Sequence, residues 1–90
     1  LVVDEGAKAA SIDGENLDLA PSELKVLALL AGSCGRVLTR AELIAGCWGD
    51  GAVVTPNALE SLVKRLRRKL GPVGERLQAV RSQGYILLER

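Results

Sequence analysis

The sequence has no histidine, and its two cysteines, Cys34 and Cys47, stand 13 positions apart without a second pair. These absences exclude the usual zinc spacings and remove the commonest general base, and both thiols read as reduced and inert. Aromatic residues are nearly missing: there is one tryptophan and one tyrosine. Aliphatic packing must therefore fill the core, and a stacking platform for single-stranded bases, which needs several exposed rings, is excluded. The longest apolar run, Val26 to Ala31, is far too short to cross a bilayer, and no charged-then-apolar leader opens the chain. Gly32-Ser33-Cys34-Gly35 lacks the lysine and the preceding strand of a phosphate-binding loop, and no pair of carboxylates can be placed in a cleft. The expectation is a non-enzymatic cytoplasmic domain without metal or cofactor.

With 90 residues, 48% of them hydrophobic, the chain makes one small domain with a single core. Its net charge of +1 hides an asymmetry. Residues 1 to 54 carry four Lys/Arg against eight Asp/Glu, net −4, whereas residues 55 to 90 carry eight against three, net +5. A basic end of this kind orients a domain over a polyanion without general stickiness.

Most of that basic charge lies in Thr55 to Leu70, TPNALESLVKRLRRKL. At about 100° per residue, Leu59, Leu62, Val63, Leu66 and Leu70 share one face. Asn57, Ser61, Lys64, Arg65 and Arg68 fall on the opposite side, flanked by Glu60, Arg67 and Lys69. Thr55 is the expected N-cap, Pro56 sits at the first helical position, and Gly71-Pro72 supplies the stop. A helix that buries one face and offers cations on the other is suited to contact nucleic acid. A merely solvated helix face is the plainer reading of the same pattern.

Elsewhere the pattern predicts three short strands within residues 1–19, at Leu1 to Val3, Ala9 to Ile12 and Leu17 to Leu19. They form an antiparallel meander with Asp13-Gly14 as a hairpin turn. From Pro21 a helix follows with a stripe of Leu24, Leu27, Leu30 and Ala31, widened by Val26 and Leu29. Val37-Leu38 reads as a brief extended piece. Thr39-Arg40-Ala41-Glu42 fits a capping box opening a second helix to about Trp48, with Leu43, Ile44 and Cys47 inward. Gly49 to Val54 forms a turn into the basic helix. Leu77 to Val80 and Tyr85 to Leu88 flank Arg81-Ser82-Gln83-Gly84, a β-hairpin with Arg81 at its tip. The predicted class is α+β: a β-meander (1–19), a three-helix core (21–70) and a C-terminal hairpin wing (76–89), a winged helix-turn-helix. An arginine at the wing tip is placed to enter a minor groove, although a solvated turn residue would look the same.

Leu66-Arg67-Arg68-Lys69-Leu70 with Val80-Arg81 and Gly84-Tyr85 resembles the OmpR/PhoB-type winged-helix effector domain of bacterial two-component response regulators. Trp48-Gly49, Gly35-Arg36-Val37-Leu38-Thr39-Arg40 and Leu19 to Leu24 match in the same order, so the resemblance covers essentially the whole chain. It implies sequence-specific binding of double-stranded DNA, with the third helix in the major groove and the wing at the minor groove. Carried over by position, the implied contacts are Asn57, Glu60, Ser61, Lys64, Arg65, Arg67 and Arg68 on the helix and Arg81 on the wing. Arg65 is the first choice for a guanine; Lys64, Arg67 and Arg68 hold phosphates; Glu60 and Ser61 tune specificity. Direct repeats bound head-to-tail by an otherwise monomeric domain, and RNA polymerase at loop 49–54, are further implications.

The sequence departs from the family at three places. Ala20 stands where a capping threonine is usual, Ser82 replaces the first glycine of the wing turn, and Leu62 occupies an often polar position, so that it either widens the core or meets a thymine methyl. No receiver domain is present, which suggests a piece of a longer regulator. A related class, antibiotic-pathway activators with an OmpR-like domain at their start, is also left open. A protein-binding adaptor using the same basic face for an acidic partner is the alternative function.

Overall fold

Asp13 and Gly14 both take positive φ, 50° and 83°, which is the backbone of a two-residue hairpin turn. In the computed structural model, which describes residues 1–4, 6–7, 9–49 and 54–88, this turn joins β2 (Ala9–Ile12) to β3 (Glu15–Asn16). β1 (Val2–Asp4) pairs antiparallel with the other side of β2. The meander is therefore present, with one correction: the third strand lies at Glu15–Asn16, not at Leu17 to Leu19. A two-residue turn makes pairing resume immediately after Gly14, opposite Ile12, so the polar pair takes the ladder positions. Leu17 and Leu19 instead pack half-buried against the core.

α1 (Pro21–Gly32) starts from Ala20, which has no side-chain acceptor to offer. Only the reciprocal half of a capping box exists here: the Ala20 N–H donates to Glu23 Oε1 at 2.7 Å. The buried residues are Glu23, Val26, Leu27 and Leu30, so the expected stripe is turned; Leu24 and Ala31 lie at its half-buried margins. The turn follows from α1 packing at once against β1 and against residues 40–48, 56–70 and 84–87.

β4 (Leu38–Thr39) leads directly into α2 (Arg40–Trp48). The predicted capping box is complete: Glu42 N–H donates to Thr39 Oγ1 at 3.1 Å and Thr39 N–H to Glu42 Oε1 at 3.2 Å. Leu43 and Cys47 are buried, Ile44 is half-buried, and Trp48 at the C-terminus of α2 stays 38% exposed. Residues 50–53 of the expected 49–54 turn lie outside the described residues.

α3 (Pro56–Leu70) has the predicted bounds. Thr55 occupies the N-cap position with extended backbone but makes no side-chain cap bond. The Ala58 amide that a threonine cap would satisfy donates to the Thr55 backbone carbonyl at 3.0 Å instead. Gly71 ends the helix and opens a 3₁₀ turn, Gly71–Arg76, that carries the chain to β5 (Leu77–Val80) and β6 (Gly84–Leu87).

β6 is central in the second sheet, of order β4-β6-β5. β4 approaches it so closely that a Cβ on Gly84 would overlap the Leu38 carbonyl. Glycine at 84 therefore lets the strand before α2 anchor the wing. Arg76 is held by Nε donating to the Leu88 carbonyl at 2.6 Å, which closes the base of the hairpin.

Candidate nucleic-acid interface

α3 owes its orientation to five fully or nearly fully buried side chains: Leu59, Leu62, Val63, Leu66 and Leu70. Every one is a residue of the predicted apolar face. Burial of that stripe forces Asn57, Glu60, Ser61, Lys64, Arg65, Arg67, Arg68 and Lys69 outward, and all eight are exposed. Leu62 is 1% exposed, so it widens the core and is not available to a thymine methyl.

The cations of α3 fall into two groups. Arg65 and Lys69, one turn apart, both reach back to α1: Lys69 Nζ lies 2.8 Å from Glu23 Oε1, and Arg65 Nε lies 3.5 Å from Glu23 Oε2. Lys64, Arg67 and Arg68 have no carboxylate within ion-pair distance among the described residues. At 1.5 Å per residue, Lys64 and Arg68 stand about 6 Å apart along the helix axis on one face. The projection that put Arg65 opposite the core is thus adjusted, because its guanidinium leans to the α1 flank.

Glu60 is also engaged, through Arg40 Nη1 at 3.2 Å. Arg40 and Glu60 line one cleft of about 190 Å³ together with the wing residues Ala79 to Tyr85. The cleft brings the start of α3 and the wing tip onto one side of the molecule. Arg81 is exposed at the tip. Next to it Ser82 takes φ 64°, the left-handed region that glycine enters more readily. The hairpin register is nevertheless regular, with Val80 opposite Gly84, so serine is accommodated in the turn.

Sequence reasoning did not foresee the ion pair of Glu23 with Lys69 behind this surface. Glu23 stands three, four and seven residues before Val26, Leu27 and Leu30, and that spacing already places an acid on the buried stripe. A buried acid demands a cation, and the next strong concentration of cations is in α3. Burial pushes the Glu23 carboxyl up, but the Lys69 and Ala20 hydrogen bonds and the neighbouring positive charges hold it below its ordinary value of 4.5. A carboxyl lowered in the folded state contributes stability that is full above about 4.5 and is lost as pH falls through its folded value. Thermal melts between pH 6 and pH 3 are expected to show a falling midpoint below about 4.5, with a shallower fall in Glu23→Gln. An equally steep fall in the variant would assign acid sensitivity to other carboxyls.

The two thiols take no part in this surface. Cys47 donates to the Ser22 carbonyl at 3.4 Å and Cys34 to the Leu87 carbonyl at 3.3 Å, and both are free. Burial raises the Cys47 thiol above its ordinary value, which suits an inert thiol.

Residues 14–87 match the family described as "Transcriptional regulatory protein, C terminal". The chain belongs to that family. This OmpR/PhoB-type effector family is regulatory, not catalytic. Among its members, the transcriptional regulatory protein BaeR of Escherichia coli is 38% identical over 88 residues, covering 94% of this chain and 37% of the relative. The chain spans about two-fifths of the length of the curated relatives it matches. The DNA-binding domain of CpxR from E. coli superposes with a TM-score of 0.84 at 30% identity, covering 96% of this chain and 87% of that one. The RstA DNA-binding domain of Klebsiella pneumoniae, solved in complex with the RstA box, gives 0.80 at 26% identity over 98% and 90% of the two chains. The effector-domain fold of three helices with a hairpin wing is thus the fold of this chain. Among the described residues no helix is long and apolar enough to cross a membrane.

Proposed function

We propose that this chain binds double-stranded DNA as the output domain of a bacterial transcriptional regulator of the response-regulator type, acting in the cytoplasm. The observation that carries the reading is the row of Lys64, Arg67 and Arg68, exposed on a helix of 15 residues and with no carboxylate at ion-pair distance among the described residues, on a fold shared with DNA-binding domains, one of them solved on DNA. α3 is about 22 Å long, and a helix of ordinary width enters the major groove. Lys64, Arg67 and Arg68 hold phosphates and set affinity. Arg65 reads a guanine, with Asn57, Glu60 and Ser61 tuning the neighbouring positions. Arg81 lies at the adjacent minor groove, which the cleft shared by Glu60 and the wing tip supports. Two copies on direct repeats, arranged head-to-tail, and RNA polymerase at loop 49–54 complete the proposal.

Fluorescence anisotropy of a labelled generic duplex tests it. Binding is expected at low salt and falls steeply as salt rises, since each phosphate contact adds about 0.9 to the logarithmic salt slope. Absence of binding even at low salt would turn the basic face into a docking surface for an acidic protein.

A further inference from the structure

Among the described residues, Glu23 is the one charged side chain buried in the core, with 1% of it exposed. Its partners are unusual in their origin. One oxygen, Oε1, accepts from the Ala20 N–H at 2.7 Å and from Lys69 Nζ at 2.8 Å; the other, Oε2, faces Arg65 Nε at 3.5 Å. Both cations belong to α3, and both remain partly in solvent, at 39% for the Lys69 side chain and 57% for that of Arg65. A buried ion pair is no efficient source of stability, because desolvation offsets most of the attraction. What it does supply is geometry: two flexible cations are tied to one point of α1.

The two side chains are affected differently. An ammonium is a point charge, so Lys69 held at 2.8 Å is turned toward α1 and away from a phosphate facing Lys64 and Arg68. A guanidinium is a rigid fork. The 3.5 Å ion pair draws its Nε side toward Glu23, which leaves the edge bearing the two Nη groups for another partner and narrows the rotamers open to the side chain before that partner arrives.

We propose that Glu23 is a positioning residue for DNA specificity: it withholds Lys69 from the phosphate backbone and fixes Arg65 by its Nε edge, so that the Nη edge meets a guanine in one orientation. The proposal rests on the reading that α3 enters the major groove. Removing the carboxylate charge while keeping its shape releases both cations, which then add sequence-blind phosphate contacts at the expense of base reading.

The test uses the 90-residue chain, a duplex selected with it from a randomised pool, and a scrambled duplex of equal length. In Glu23→Gln, affinity for the scrambled duplex is expected to hold or rise. Its salt slope steepens by about 0.9 for each cation released. Preference for the selected duplex falls roughly tenfold or more, the scale of one bidentate guanine contact. A merely structural role would weaken both duplexes together and leave slope and preference unchanged, which overturns the proposal.

Lys69→Gln in the native background gives a second reading that does not depend on Glu23→Gln folding. It is expected to leave the salt slope unchanged, whereas Lys64→Gln lowers it by about 0.9. Equal loss in the two variants would show that Lys69 already touches phosphate and would overturn the proposal. If neither Lys64→Gln nor Arg68→Gln changes the slope, the placement of α3 has failed, and this inference with it.

Discussion

Leu62→Ala is expected to remove about 2–5 kcal/mol of stability, the range for truncating a buried leucine whose surroundings cannot collapse. Leu62 is 1% exposed on the inner face of α3, beside Leu59, Val63 and Leu66 of the same core cluster. A chain of this length has roughly 5–13 kcal/mol in total, so the loss is a large fraction of it. At about 4–8 °C per kcal/mol, the thermal midpoint falls by at least about 8 °C. Urea unfolding monitored by far-UV circular dichroism measures the difference. A loss below about 1 kcal/mol, with selective weakening on thymine-containing duplexes, would return Leu62 to the interface.

The second large effect concerns binding. In the double variant Lys64→Gln, Arg68→Gln, affinity for a generic duplex at low salt is expected to fall roughly 10- to 100-fold, with the salt slope reduced by about 2. Both side chains are exposed and neither forms an ion pair within the described structure, so the thermal midpoint should be nearly unmoved. That separation of binding from folding is the informative part. Unchanged affinity in a folded double variant would place the contact surface elsewhere and favour the adaptor reading. Loss of affinity together with loss of fold would assign the two cations a structural role instead.

These two variants probe opposite faces of one helix, and the helix was legible because its two faces were written at one period. Five apolar residues at spacings of three and four predicted the buried side of α3, and all five are buried. The capping box at Thr39 and Glu42 was equally plain, because both of its hydrogen bonds are local. The hairpin around Arg81 formed where two apolar runs met a polar turn, although Gly84, read as a turn residue, pairs with Val80 and opens the second strand. Local signals failed where another local constraint competed with them. The Thr55 hydroxyl makes no cap bond because a backbone carbonyl takes its amide. The third strand moved to Glu15–Asn16 because turn geometry, not hydrophobicity, set where pairing resumed.

Charge shows the same division. The excess of cations after residue 54 is a property of the sequence, and so is the fold that presents them, through periodicity and the order of elements. Which of those cations stand free was decided only in three dimensions. Glu23 and Lys69 are 46 positions apart, and no periodicity links them; packing of α1 against α3 brings the carboxylate to 2.8 Å from the ammonium. Arg40 and Glu60, 20 positions apart, are joined in the same way at the edge of the wing cleft. The sequence by itself determined the helices, the buried face of α3 and the sign of the exposed surface, because these depend on neighbours within a turn or two. The buried face of α1 was instead turned by the elements packed around it. Tertiary structure alone determined the pairing of charges, because an ion pair needs a distance, and distance between remote residues exists only once the core has formed.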